Sequence, residues 1–244
     1  MKKSVLSILL VSMITISSCT PTLEPSPTPH LELFIPEEIP GEVVYVPFPV
    51  NITIDGDLSE WNDLPSYFVD SGPLPSSDPL ENGSFTFSVA ADNDYFYITM
   101  QMPDQNIVTG KHGAEFWNED SMEFYINASG DLNARGYKEN IFQINVNASD
   151  LNNTEPDQLT ITGVFSSGVT VKGFVFPIEG GWGFEAAVAL DGIIEPEHGL
   201  EIGFQTQING ASKQDRDIKL IWSKADTDDN SWQYPNLFGR AILF

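Results

Sequence analysis

The chain predicts an all-β fold: an antiparallel β-sandwich of about ten strands, jelly-roll or immunoglobulin-like in character. Two observations carry this. Short runs of alternating apolar and polar residues recur between Gly, Asn, Asp and Pro, and no stretch sustains a 3.6-residue apolar period. In chain order the runs are Ser84 to Ala91, Tyr95 to Met102, Ser121 to Asn127, Ile141 to Asn147 and Leu159 to Phe165. Val169 to Phe176, Trp182 to Leu190, Leu200 to Ile208, Asp217 to Trp222 and Phe238 to Phe244 complete the set. A period of two gives each strand a core face and an opposite face. In Ser121 to Asn127, Met122, Phe124 and Ile126 turn to the core, while Ser121, Glu123, Tyr125 and Asn127 turn away. In Ile141 to Asn147, Phe142, Ile144 and Val146 point inward, with Gln143, Asn145 and Asn147 outward. Leu200 to Ile208 repeats this, with Ile202, Phe204 and Ile208 inward and Glu201, Gln205 and Gln207 outward.

Ahead of these strands the chain reads M-K-K-S-V-L-S-I-L-L-V-S-M-I-T-I-S-S-C, a basic start and an apolar run leading through small residues to Cys19. This is the layout of a secretory signal, and the run is too short for a comfortable membrane span. Ile16-Ser17-Ser18-Cys19 resembles a bacterial lipobox, which implies that residues 1–19 are a lipoprotein signal segment with its lipobox ending at Cys19, and that Cys19 becomes the lipid-bearing N-terminus after cleavage ahead of it. Cys19 is the only cysteine, so the mature domain forms no internal disulfide; pairing with another molecule is the alternative. Thr20, where an aspartate would signal otherwise, points to the outer membrane or the outer face of the cell membrane. Residues 20–49 hold Pro21, Pro25, Pro27, Pro29, Pro36, Pro40, Pro47 and Pro49. Such a stretch is expected to be an extended linker of about 3.1 Å per residue, with Glu42 to Val46 docking as an edge strand. Residues 50–244 then form one sandwich domain, of a size single all-β domains commonly reach.

The formal charge of −24 argues against nucleic acid as a partner. It fits solubility and mutual repulsion on a crowded surface, with oxygen-rich cation sites as a second use of the acidic residues.

Two aromatic-acidic segments stand out. Phe116-Trp117-Asn118-Glu119-Asp120 runs directly into the strand carrying Glu123, which sets Trp117 at the rim of that strand's polar face. Asp226-Thr227-Asp228-Asp229-Asn230-Ser231-Trp232-Gln233-Tyr234-Pro235 precedes the last strand. An indole beside a carboxylate suits a sugar, whose C–H face packs on the ring and whose hydroxyls donate to the charged acceptor. Apolar burial contributes about 25 cal/mol per Å² and a hydrogen bond to a charged group about 1.5–3 kcal/mol. The outward amides add groups that donate and accept together. The plainer readings are a wet sheet face for Glu123 and a lid over the core for Trp232. Trp61, Trp182 and Trp222 read as core or edge packing.

Ile54-Asp55-Gly56-Asp57-Leu58-Ser59-Glu60-Trp61, the strand pair Phe85 to Met102, Trp117 to Asn127, Gly181-Trp182-Gly183-Phe184-Glu185 and Trp232-x-x-Pro235-x-x-Phe238-Gly239 occur in that order. The set resembles the family 9 carbohydrate-binding modules across Val50 to Phe244. The resemblance implies a β-sandwich, related to DOMON-like sandwiches, that holds a glucan or xylan sugar, often at a chain end, between Trp117 and Trp232. It implies that Glu123 accepts from vicinal hydroxyls, and that Asp229 or Asn230 is the polar residue ahead of the second tryptophan. The family's arginine would fall near Ile144, a core position, so Gln143 or Arg135 would have to substitute. Some members hold structural calcium, for which Asp55, Asp57 and the Asp226 to Asn230 run are the oxygen sources here; no organic cofactor is expected.

Other functions have thinner support. Glu119, Asp120 and Glu123 are the carboxylates a glycosidase reading would start from, but Asp120 and Glu123 differ in parity, and no hydrolase or nucleotide motif is present. The expectation is therefore a non-catalytic domain. A haem-binding sandwich would use Met100, Met102 and His112, although Met100 and Met102 share the core parity of Phe96 and Ile98. An adhesion or scaffold domain without a ligand is the remaining alternative.

Overall fold

Alternation sorts the strands into two facing sheets in the computed structural model, which describes residues 36–148, 151, 161–162 and 168–244. The signal peptide, Cys19 and the first part of the linker lie outside the described residues. Twelve strands are described, in chain order β1 (Val43–Val46), β2 (Tyr67–Val69), β3 (Phe85–Ala91), β4 (Tyr95–Pro103), β5 (Ser121–Asn127) and β6 (Ile141–Asn147). The second half supplies β7 (Ile161–Thr162), β8 (Val171–Ile178), β9 (Gly181–Ala189), β10 (Glu201–Gly210), β11 (Ile218–Ile221) and β12 (Gly239–Leu243). One sheet runs β1-β12-β10-β5-β6-β7 with β11 also on β10; the other runs β2-β3-β4-β9-β8. The expected sandwich is observed, with two corrections. Strand β2 was not expected, being only three residues long. The pairing is antiparallel throughout except that β1 runs parallel to β12.

The core between the sheets is aromatic. Phe124 stacks on Phe184 across it at 5.9 Å, and Phe204 meets Phe87, Phe96 and Trp222 at 5.8 to 5.9 Å. Trp61, Trp182 and Trp222 are buried, as expected for packing residues. Val44 and Val46 of β1 are fully buried too, so the end of the proline-rich stretch packs as part of the sandwich. Strand β1 forms where the prolines pause between Pro40 and Pro47, which frees its N–H groups for pairing.

Two of the sequence motifs meet in one knot. Glu185 of β9 is fully buried and accepts the backbone N–H groups of Asp55 and Gly56, as well as Nε1–H of Trp61 at 3.3 Å. Gly56 has φ +82 and lies against Phe174, a position that only glycine meets without strain. Gly239 answers a different need, since a Cβ there would sit 2.4 Å from the Trp222 ring.

Residues 104–120, which lead from β4 to β5, are tied down by carboxylates. Asp120 is fully buried and accepts N–H of Val108 and, at 2.8 Å, of Ala211; Glu119 accepts N–H of Gly110 at 3.0 Å and Lys111 at 2.7 Å. Both therefore serve the backbone. Asp104, buried as well, stands near enough for its charge to act on Asp120. Burial first, and then the neighbouring Asp104 charge, push the Asp120 carboxyl up to about 8. The folded protein thus keeps a proton that an unfolded aspartate releases near pH 4. That contribution to stability is complete in acid and is lost as pH rises through about 8. In thermal melts from about pH 4 to 9, Asp104→Asn, which removes the neighbouring charge, should gain stability over wild type as pH rises. Parallel pH profiles for the two proteins would refute the coupling of the two carboxyls.

Candidate functional site

The polar faces of β10, β5 and β6 form a grid on the outer side of the larger sheet. In register, Gln207 lies opposite Glu123, which lies opposite Asn145; Gln205, Tyr125 and Gln143 make the next row. Beside them, Asn209 of β10 pairs with Lys219 of β11. Parity places Ile218 and Leu220 in the core, which turns Lys219 onto the grid. This face was expected to be open. It is instead almost fully buried, because the segments after Asn127, Gly210 and Trp222 fold over it, with Tyr125 packed against Phe238 at 5.4 Å.

One cavity of about 600 Å³ remains above the grid. Trp117, Glu123, Gln143, Asp229 and Trp232 all line it, so most of the site residues expected from sequence converge. Asn230 does not line it; its backbone N–H donates to Asp226 Oδ1 at 2.8 Å. Arg135 is exposed and also absent from the lining. Two cations, Lys219 and Arg216, line it as well. Neither was singled out beforehand, because the expected arginine position maps to β6 and these residues belong to β11 and the turn before it.

Lys219 is 1% exposed and Glu123 3%. The Lys219 ammonium donates to Glu123 Oε2 at 3.2 Å and Asn209 Oδ1 at 2.8 Å, and lies 3.3 Å from Asp229 Oδ1. Tyr125 Oη donates to Glu123 Oε2 at 2.8 Å, and Gln207 Nε2 donates to the same oxygen. Burial would push the Glu123 carboxyl up, but the Lys219 charge and these hydrogen bonds outweigh it and hold the group below the usual carboxylate range. Gln207 Oε1, buried in the same lining, lacks a hydrogen-bond partner among the described residues. Gln143 Nε2 donates to Tyr125 Oη at 3.0 Å and to Asn145 Oδ1 at 3.1 Å, completing the floor.

The two tryptophans are 45% and 55% exposed, far from core values. Trp117 sits on a single 3-10 turn, Phe116–Asn118. The Arg216 guanidinium covers its ring at 5.3 Å and donates to Asp229 Oδ2 at 2.8 Å and Asn209 Oδ1 at 2.9 Å. Arg216 N–H donates to Asn118 O at 3.0 Å, so the 212–217 turn is clasped to the Trp117 turn. His112 braces the same junction: Nε2–H donates to Gln214 O at 2.9 Å, leaving Nδ1 to accept from Asn118 Nδ2 at 3.3 Å. Trp232 is placed through its neighbour. Ser231 is fully buried, bonded to Asp226 and accepting from Gln205 Nε2 at 3.1 Å, which pins that loop to the floor.

Of the other candidates, Met100 and Met102 are sealed in the core, and Met100 Sδ accepts from Thr206 Oγ1 at 2.9 Å. Asp55 and Asp57 each accept a turn N–H at 2.9 Å, and Asp226 holds its own loop. Among the described residues no three His, Cys, Asp or Glu side chains are placed to share a metal ion. Removing Lys219 would leave two carboxylates without their shared cation. Lys219→Ala should therefore destabilise the fold by roughly 3–5 kcal/mol in urea unfolding, and Glu123→Gln added to it should restore part of that loss. An unchanged midpoint for Lys219→Ala would contradict the role given to the ammonium.

Comparison with known proteins returns the same architecture. Two solved structures of a family 9 carbohydrate-binding module from Caldicellulosiruptor kristjanssonii, one in complex with cellotriose and one with glucose, each superpose with a TM-score of 0.66 at 22% identity. They cover 83% of this chain, and 93% and 96% of their own. No curated protein matches the chain. Residues 54–244 match the family described as carbohydrate family 9 binding domain-like, and the chain belongs to that family.

Proposed function

We propose that this chain is a non-catalytic carbohydrate-binding module that holds a glucan- or xylan-type sugar between Trp117 and Trp232. One observation carries the reading: two half-exposed indoles border a cavity whose floor is a buried hydrogen-bonding grid. Exposed tryptophans that are not needed for packing gain from covering apolar area, at about 25 cal/mol per Å². The ring faces of a pyranose supply that area. Its hydroxyls supply a donor for the unpartnered Oε1 of Gln207; a buried acceptor left unmade costs about 1–3 kcal/mol. The cellotriose and glucose complexes of the C. kristjanssonii module support the same ligand class.

The carboxylates argue for holding rather than cleaving. Glu119 and Asp120 are committed to backbone N–H groups, and the two that line the cavity, Glu123 and Asp229, are both ion-paired. With its carboxyl held low, Glu123 is a poor general acid, and glycoside hydrolysis requires one.

The chain order of signal, cysteine and proline-rich stretch supports a lipid-anchored module outside the cytoplasm, with Cys19 carrying the lipid and residues beyond it acting as a tether. Cys19→Ala should then release the protein from the membrane fraction of its host, and retention there would refute the anchor. For the site itself, Trp117→Ala and Trp232→Ala should each abolish retardation in affinity gels containing soluble glucan or xylan while leaving the far-ultraviolet spectrum intact. Wild-type retardation by both variants would sink the two-tryptophan slot.

A further inference from the structure

Four charged side chains line the cavity, and their charges cancel: Lys219 and Arg216 against Glu123 and Asp229. The two carboxylates stand in different positions. Glu123 belongs to the floor and meets one cation, Lys219, at its Oε2. Asp229 comes from the loop above, at φ +58, and meets a cation at each oxygen: Arg216 Nη1 at 2.8 Å from Oδ2 and Lys219 Nζ at 3.3 Å from Oδ1. Without its charge the two cations would share Glu123 alone, and the cavity would become positive.

We infer that Asp229 is a specificity-determining residue whose carboxylate neutralises the Lys219–Arg216 pair and so reserves the site for uncharged sugars over uronic acids of the same shape. A glucose ring and a glucuronate ring differ at one exocyclic carbon, so two flat indole walls cannot separate them by contact. Electrostatics can. A ligand carboxylate entering the wild-type cavity meets cations already paired and the Glu123 charge facing it, which opposes binding. In the absence of the Asp229 charge the same carboxylate becomes the counter-ion that the pair lacks. Lys219 is buried and Arg216 half-buried, so bulk salt screens them less than it would surface charges. The inference rests on the sugar-binding reading of this cavity and adds which side chain excludes the acidic relatives.

The test is calorimetric titration of wild type, Asp229→Asn and the double variant Arg216→Gln/Asp229→Asn with cellobiose and with glucuronosyl-β-1,4-glucose at low salt. For Asp229→Asn the ratio of the uronate Kd to the cellobiose Kd should fall at least about tenfold, and the gain should shrink at about 0.5 M NaCl. The double variant, neutral again, should return toward the wild-type ratio. An unchanged ratio in Asp229→Asn would overturn the inference. So would a folded Asp229→Asn that binds neither sugar, since that marks a contact or prop rather than a charge balance. If wild type itself binds no neutral oligosaccharide, the reading of the cavity as a sugar site falls instead.

Discussion

The ammonium of Lys219 is the interaction on which the site depends. It sits almost fully buried on a four-residue strand, between a carboxylate from β5 and another from the Trp232 loop. Burying any one of these charges alone would cost several kcal/mol, and together the three offset much of that penalty. The arrangement also explains why Glu123 stays ionised in a place where burial would otherwise protonate it. An ionised acceptor surrounded by fixed donors is reorganised little by a ligand, so the floor is set before anything binds.

The walls are positioned by the same network. Asp229, held by Lys219 and Arg216, lies three residues before Trp232, and Arg216 covers one face of Trp117. A cation over an indole contributes about 0.5–2 kcal/mol and restricts the ring, leaving less side-chain freedom to lose on binding. Each exposed tryptophan is thereby held near the grid by a neighbour that is anchored to it, Arg216 on one side and Ser231 on the other.

Much of this was legible in the sequence because a period of two is unambiguous once a strand has one buried face. Parity alone placed Glu123, Tyr125, Gln143, Asn145, Gln205 and Gln207 on one surface, and the structure pairs them in register. It did not reveal that the surface is roofed, since burial of a polar face depends on loops from distant parts of the chain. Lys219 escaped for a related reason: its strand is short, and nothing local says that it joins the edge of β10. A signal was present, a lysine between Ile218 and Leu220 in a chain with only 11 basic residues. The place of the family's arginine falls near Ile144, which faces the core as parity indicated, and the cations that line the cavity come instead from β11, three strands along the sheet from β6, and from the turn before it. The parallel pairing of β1 was equally hidden, because strand direction is set by where a segment docks and not by its own residues.

The central claim, a sugar ring clasped by Trp117 and Trp232 above a preset floor, predicts an asymmetry among the five tryptophans. Titrating a panel of cello- and xylo-oligosaccharides into isotopically labelled protein, and following the indole N–H resonances, tests it most directly. The signals of Trp117 and Trp232 should shift together and saturably, while those of Trp61, Trp182 and Trp222 stay in place. Shifts confined to the buried three, or no shift of the exposed pair with any ligand of the panel, would contradict the account.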